Sequence, residues 1–168
     1  MKKKLIVTSL LAATVFASAA NAATFNITGS IASTPCEVTA TNPNIKMPWI
    51  SKTKLGKAGE FSTAPAQELR ITLKNCPAVN QTAVVQFTGT ADTEDNKALK
   101  LTGVDGVALA VFEDDGTTQI NIGGKAKGKA VISTSDNVLK YKVKYVTTSK
   151  AFKEGNATAT LNFDVAYN

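Results

Sequence analysis

The sequence predicts an all-β chain folded as one antiparallel sandwich, and three observations carry that reading. Apolar residues recur at every second position in several separate runs. Turn residues rich in Gly, Asp and Asn punctuate those runs at short intervals. Little of the chain beyond its first 22 residues repeats apolar residues at helical spacing.

The clearest run is the last, Gly155 to Asn168. Ala157, Ala159, Leu161, Phe163, Val165 and Tyr167 share one face, and Thr158, Thr160, Asn162, Asp164 and Asn168 share the other. A period of two over this length reads as a strand with one buried and one wet face. The chain ends there, so no following segment is expected to pair with it. Tyr167 reads as the last inward side chain, and Gly155 as a hairpin glycine permitting a positive φ. A second alternating run, Phe25-Asn26-Ile27-Thr28-Gly29-Ser30-Ile31, stands at the opposite end of the chain.

Between them, Leu69, Ile71 and Leu73 alternate with Arg70, Thr72 and Lys74. Ala83, Val85 and Phe87 alternate with Val84, Gln86 and Thr88. Val107, Leu109 and Val111 oppose Ala108, Ala110 and Phe112, which predicts a strand covered on both faces. Leu139, Tyr141, Val143 and Tyr145 oppose Lys140, Lys142 and Lys144, predicting one apolar and one solvated face. Turns are expected at Gly103-Val104-Asp105-Gly106, Asp114-Asp115-Gly116, Ile122-Gly123-Gly124 and Glu154-Gly155-Asn156. Thr41 to Pro65 is the least regular stretch. It holds Pro43, Pro48, Pro65 and Trp49, and reads as a long connection. Short strands separated by such turns suit a sandwich of immunoglobulin type.

The first 22 residues are excluded from the fold. Met1-Lys2-Lys3-Lys4 is basic, Leu5 to Phe16 is apolar, and Ala20-Asn21-Ala22 supplies a small-residue cleavage pattern. This is the pattern of a secretory signal, with a mature start at Ala23. The apolar stretch is short against the ~20 residues a membrane span needs. Loss of Lys2, Lys3 and Lys4 lowers the basic count from 19 to 16 against 13 acids, so the mature charge is +3. One arginine, Arg70, and the lack of a basic cluster with interleaved aromatics argue against nucleic acid as a partner.

Two cysteines, Cys36 and Cys76, in an exported chain predict one disulfide. Closing that loop stabilises by ~4 kcal/mol on the loop-entropy model. A metal site is not expected: the chain has no His, and the cysteines lack C-x-x-C spacing. The missing His also removes the commonest general base, and Asp92, Glu94, Asp95, Asp114 and Asp115 lie in polar turn segments. No enzyme, cofactor or metal is expected.

Several elements, taken in order, resemble the structural pilins of the chaperone–usher pathway, of the type 1 and P fimbria kind. Phe25 to Ile31 is similar to the family's donor strand, with Gly29 as its central glycine. Cys36 follows, and Leu73-Lys74-Asn75-Cys76-Pro77 is similar to the second cysteine segment. Val85 to Gly89 and Gly106 to Gly116 are similar to the next strand and the central hairpin. Gly155, fourteenth from the end, and Tyr167, penultimate, match the C-terminal assembly pattern. Asn42 to Phe61 matches poorly, and nothing is carried over there.

The resemblance implies an incomplete immunoglobulin-like antiparallel β-sandwich, completed in trans by a donor strand. It divides the chain into a signal peptide (1–22), an N-terminal donor extension (23–34) and a pilin domain (35–168). Phe25, Ile27, Gly29 and Ile31 would enter a neighbour's groove. Gly155, Ala157, Ala159, Leu161, Phe163, Val165 and Tyr167 would border the acceptor groove and pair with a chaperone. The implied partners are identical or related pilins, a periplasmic chaperone and an outer-membrane usher. The implied place is a cell-surface fimbrium reached through the periplasm, and the implied role that of a shaft subunit, with a minor or adaptor subunit as the alternative. The residues alone leave open a second reading of Phe25 to Ile31, as a first strand within its own sandwich with Gly29 at a bulge. The competing class is a self-contained extracellular carbohydrate-binding sandwich with Trp49 as its stacking residue; otherwise Trp49 reads as a packed core or subunit-contact residue.

Overall fold

A computed structural model of the chain describes residues 35–168. The expected signal region (1–22) and the expected extension carrying Phe25, Ile27, Gly29 and Ile31 lie outside them. Nine strands follow in order: β1 (Glu37–Ala40), β2 (Gln67–Lys74), β3 (Gln81–Thr88), β4 (Leu99–Lys100), β5 (Val107–Glu113), β6 (Gln119–Ile120), β7 (Lys129–Val131), β8 (Asn137–Thr147) and β9 (Asn162–Tyr167). The larger sheet runs β1-β2-β8-β5-β4 with β6 also on β5, and the smaller runs β7-β3-β9. Every strand pairing is antiparallel. The only helix among the described residues is one 3₁₀ turn, Lys52–Lys54.

Alternation in the sequence becomes alternation in burial. In β3, Gln81, Ala83, Val85 and Phe87 are buried and the residues between them are not. In β8, Leu139, Tyr141 and Val143 point into the same interior. Phe87 and Tyr141 meet edge to face with ring centroids 4.9 Å apart, joining the sheets. Such a pair adds about 0.5–1.5 kcal/mol beyond its buried area. Leu73, Val85 and Val111 fill the space around it.

The expectation that both faces of β5 are covered holds. Its second face packs Ala108, Ala110 and Phe112 with Ala98 and Val146 in a separate small cluster. Phe61 roofs that cluster, edge to face on Phe112 at 4.9 Å. Lys142 and Lys144 are therefore only partly solvated, and Lys144 Nζ stands 5.0 Å over the Phe112 ring. Glu113, at the end of β5, is buried and accepts a 2.6 Å bond from the Lys127 amide. Lys129 Nζ lies 4.0 Å from the same carboxylate and 4.3 Å over the Tyr141 ring. This cluster fastens β7 of the smaller sheet to β5 and β8 of the larger one.

The Asp114-Asp115-Gly116 turn forms where expected. Gly116 takes φ +67° and donates 2.9 Å to the Glu113 carbonyl. Asp115 accepts from the Thr118 hydroxyl (2.6 Å) and from the amides of Thr118 (2.8 Å) and Thr117 (2.7 Å). These bonds, the Thr118 hydroxyl foremost, hold its carboxyl well below the usual carboxylate range. A depressed folded-state pKa means the stabilisation is complete above the unfolded value of about 3.9 and is lost as pH falls through the folded one. Asp115→Ala is expected to flatten the acid limb of a thermal-unfolding series below about pH 4 and to leave the slope at neutral pH unchanged.

Candidate functional site

The interior of the sandwich is open along one seam. β9 pairs with β3 on one side only, and among the described residues no strand lies on its other side. Thr82 and Asn168 exchange both backbone bonds, at 2.9 and 3.1 Å. Alternation of antiparallel pairs then assigns Ala166, Asp164 and Asn162 to β3, and turns the N–H and C=O groups of Tyr167, Val165 and Phe163 outward. The side chains of these three residues face the core, yet all three are only half-buried, as is Leu161. Across the seam, Val38 shares the inward face with its fully buried partner Leu73 but is 41% exposed. An apolar side chain half in water on the core face of a sandwich forgoes part of the roughly 1.5–3 kcal/mol that full burial provides.

Between the two edges runs a cavity of about 1270 Å³. Its floor is Leu69, Ile71, Leu109, Val111 and Val143 of the larger sheet with Phe87 of the smaller. One wall is Ala157, Ala159, Leu161 and Phe163; the other is Ala40 and the stretch 42–52. Lys52 Nζ, 6.0 Å from the Phe152 ring centroid, approaches across one end. Tyr167, further along β9, packs against the core cluster that holds Cys36 and Cys76; its phenol is pushed up by burial, with the Cys36 backbone pulling part of the way back. Its Oη is enclosed without a partner in good hydrogen-bond geometry. The Cys36–Cys76 disulfide ties the start of β1 to the residues just after β2.

Asn42 builds the second wall. Its Nδ2 donates to the Glu68 carbonyl (2.6 Å) and its Oδ1 accepts from the Arg70 amide (2.8 Å). The side chain thus occupies the edge of β2 that the backbone of β1 would otherwise continue along. Pro43 follows, with no N–H to extend a ladder. The chain therefore leaves the sheet, and Ile45 and Met47 fold against the core from the side. No residue of this wall was carried over from the resemblance. The signal was the spacing Ile45, Met47, Trp49, obscured by Pro43 and Pro48.

Three expectations are corrected. The strand expected over Gly155 to Asn168 is regular only over Asn162–Tyr167. Its earlier half, with Ala157 and Ala159, has a single β-bridge to the fold, Thr158 to Thr102. The last rung of β3 is Thr88–Asn162, so the alternating residues before Asn162 have run past the strand they would pair with. Gly155 does not take a positive φ. It is needed for close approach, because a Cβ there would meet the Gly103 carbonyl oxygen. Trp49 is not a core residue: it is 88% exposed on the groove rim.

The described residues thus form a two-sheet sandwich with an apolar slot beside an open backbone edge. Residues 25–168 match the family model described as fimbrial protein, and the chain belongs to that family. It is 32% identical over 166 residues to the laminin-binding fimbrial subunit ElfA of Escherichia coli O157:H7, an alignment covering 95% of this chain and 90% of that one. It superposes on the P pilus rod subunit PapA with TM-score 0.68 at 23% identity, over 80% of this chain and all of that one. A subunit of a chaperone–usher pilus, solved to explain rod uncoiling, matches with TM-score 0.66 at 22% identity, over 89% of this chain and 97% of the other. The fold is that of these pilins, an immunoglobulin-like sandwich lacking a strand. These relatives are structural fimbrial subunits rather than enzymes, and their family places the chain in a surface fimbrium. Among the described residues, no helix is long and apolar enough to cross a membrane.

Gly155→Val is expected to push the 155–159 segment away from Gly103 and to destabilise the domain by about 1–3 kcal/mol, read from the guanidinium unfolding midpoint. An unchanged midpoint would mean that the Gly103–Gly155 approach does not hold the groove wall.

Proposed function

We propose that this chain is a structural subunit of a chaperone–usher fimbria that polymerises by donor-strand exchange, and that it serves in the shaft. The observation that carries the reading is the half-exposed inward face of β9 beside its unpaired backbone edge. That edge asks for a strand with alternating apolar side chains, and the pattern of Phe25, Ile27 and Ile31 supplies one. Thr24 to Ala32 spans about 30 Å when extended at ~3.3 Å per residue. The stretch from Ala157 to Tyr167 is of comparable length. Each inserted knob contributes roughly 1.5–3 kcal/mol on full burial, alongside a continuous main-chain ladder.

Alternation before Asn162 gains a purpose in this reading. Ala157 and Ala159 have no partner strand within the described fold, and a strand from outside would give them one. Until a neighbour supplies it, an edge of this kind is an aggregation hazard. A periplasmic chaperone covers it during export, and an outer-membrane usher exchanges the chaperone strand for the next subunit's extension. Phe163, Val165 and Tyr167 are the residues whose outward backbone groups pair with either strand. In this reading Gly29 would enter where the slot is too shallow to take a side chain.

Deleting residues 23–34 is expected to leave a subunit that still forms a chaperone complex but cannot attach to the subunit ahead of it. Electron microscopy of cells expressing the chain with its secretion partners reads the result, and continued polymerisation would sink the donor role. Replacing Gly29 with Leu is expected to cut fibre yield while chaperone binding persists. Normal yield would favour the bulge within a self-complemented strand.

A further inference from the structure

The domain carries exposed apolar side chains at both ends. Val79 and Ile132 are 48% and 59% exposed, and both lie just beyond the first rung of the β3–β7 ladder, Gln81–Val131. Asn137, the first residue of β8, bonds both the amide and carbonyl of Ile132 and lies 3.7 Å from Cys76 Sγ. This is the disulfide end. Trp49 marks the opposite end, three residues before Lys52 and its neighbour Phe152. Phe152 lies against Gly106, next to the Val107–Thr147 rung that closes β8. The eleven residues of β8 separate the two ends by roughly 35 Å.

The donor-strand reading above constrains which ends meet, and the inference rests on it. The N-terminal extension leaves each domain at Cys36, so each molecule reaches its acceptor from its disulfide end. If the acceptor received it at its own disulfide end, three domains would crowd there: donor, acceptor, and the acceptor's own onward neighbour. A head-to-tail polymer avoids this only when the donor stands at the Trp49 end. Four residue steps separate Ala32 from Cys36, a leash of about 13 Å. The donating domain is thus held against the accepting one.

We propose that at each junction Trp49 of the accepting copy packs against Val79 and Ile132 of the donating copy. A tryptophan at this exposure is uncovered by the described residues of its own domain, and the leash brings the apolar end of a second copy within reach. Such a contact, centred on a large aromatic, would order the angle between successive subunits beyond what the inserted strand alone can fix.

The test uses the whole chain assembled into fibres with its secretion partners. Trp49→Cys is combined with Ile132→Cys, and separately with Val79→Cys. Lys140→Cys on the exposed face of β8 replaces them as the control. Oxidised fibres heated in detergent without reductant are expected to give a ladder of covalent multimers from at least one of the first two pairs and none from the control. Fibres that assemble but yield no ladder from either pair overturn the proposal. New thiols compete with the native bridge, so wild-type fibres provide a second measurement. Trp49 is the sole tryptophan, and acrylamide quenching of its fluorescence is expected to fall several-fold from the chaperone-bound subunit to the fibre. Equal quenching in the two states overturns the contact. Shielding without a ladder assigns Trp49 to the inserted strand and overturns the pairing with Val79 and Ile132. Failure of the donor reading shows separately, as fibres formed by the chain lacking residues 23–34.

Discussion

A two-layer sandwich is stable when each layer covers the apolar face of the other. Here the layers are unequal: the larger sheet's main run of five strands faces a sheet of three. Phe87 and Tyr141 seal the middle, and the Glu113–Lys129–Tyr141 cluster fastens the β7 side. Nothing comparable joins β1 to β9 among the described residues. Every other unusual feature follows from that imbalance: the half-buried Leu161, Phe163, Val165 and Tyr167, the exposed inward Val38, and the slot between them.

The missing cover has two physical components. One is apolar area, which any greasy surface of the right shape could supply. The other is a row of backbone donors and acceptors on β9, which another backbone at strand spacing can satisfy as a continuous ladder. Their coincidence is the feature on which the proposed insertion of an extended peptide rests. Asn42 sharpens the distinction. By occupying the edge of β2 with its side chain, it leaves β9 as the bare edge beside the cavity and turns the following residues into the opposite wall.

Much of this was legible in the sequence where one strand has neighbours on both sides. In β3 and β8 the periodic residues are the buried ones, because the sheet fixes the face of each side chain. The two-sided burial of β5 was legible for the same reason. Legibility failed where periodicity and pairing separate. The residues from Gly155 to Thr160 alternate like a strand, yet only Thr158 has a bridge, since a pattern records which face is apolar and not whether a neighbour is present. The wall from 42 to 52 failed in the opposite sense: its fold is set by side-chain bonds of Asn42 and by prolines, neither of which leaves a period. Trp49 misled because size and hydrophobicity usually mean burial, whereas here it stands exposed on the groove rim.

The disulfide has a mechanical consequence. Cys36 immediately precedes β1, an edge strand of four residues held only by β2. Without the sulfur bridge, a pull on the chain before Cys36 would peel β1 away one rung at a time. With it, tension crosses directly to Cys76, just beyond the Lys74 end of β2, and from there into a strand flanked on both sides. Load then acts along several strands in shear rather than on single bonds in succession, so a thread of such units can be stretched hard before any one of them unravels.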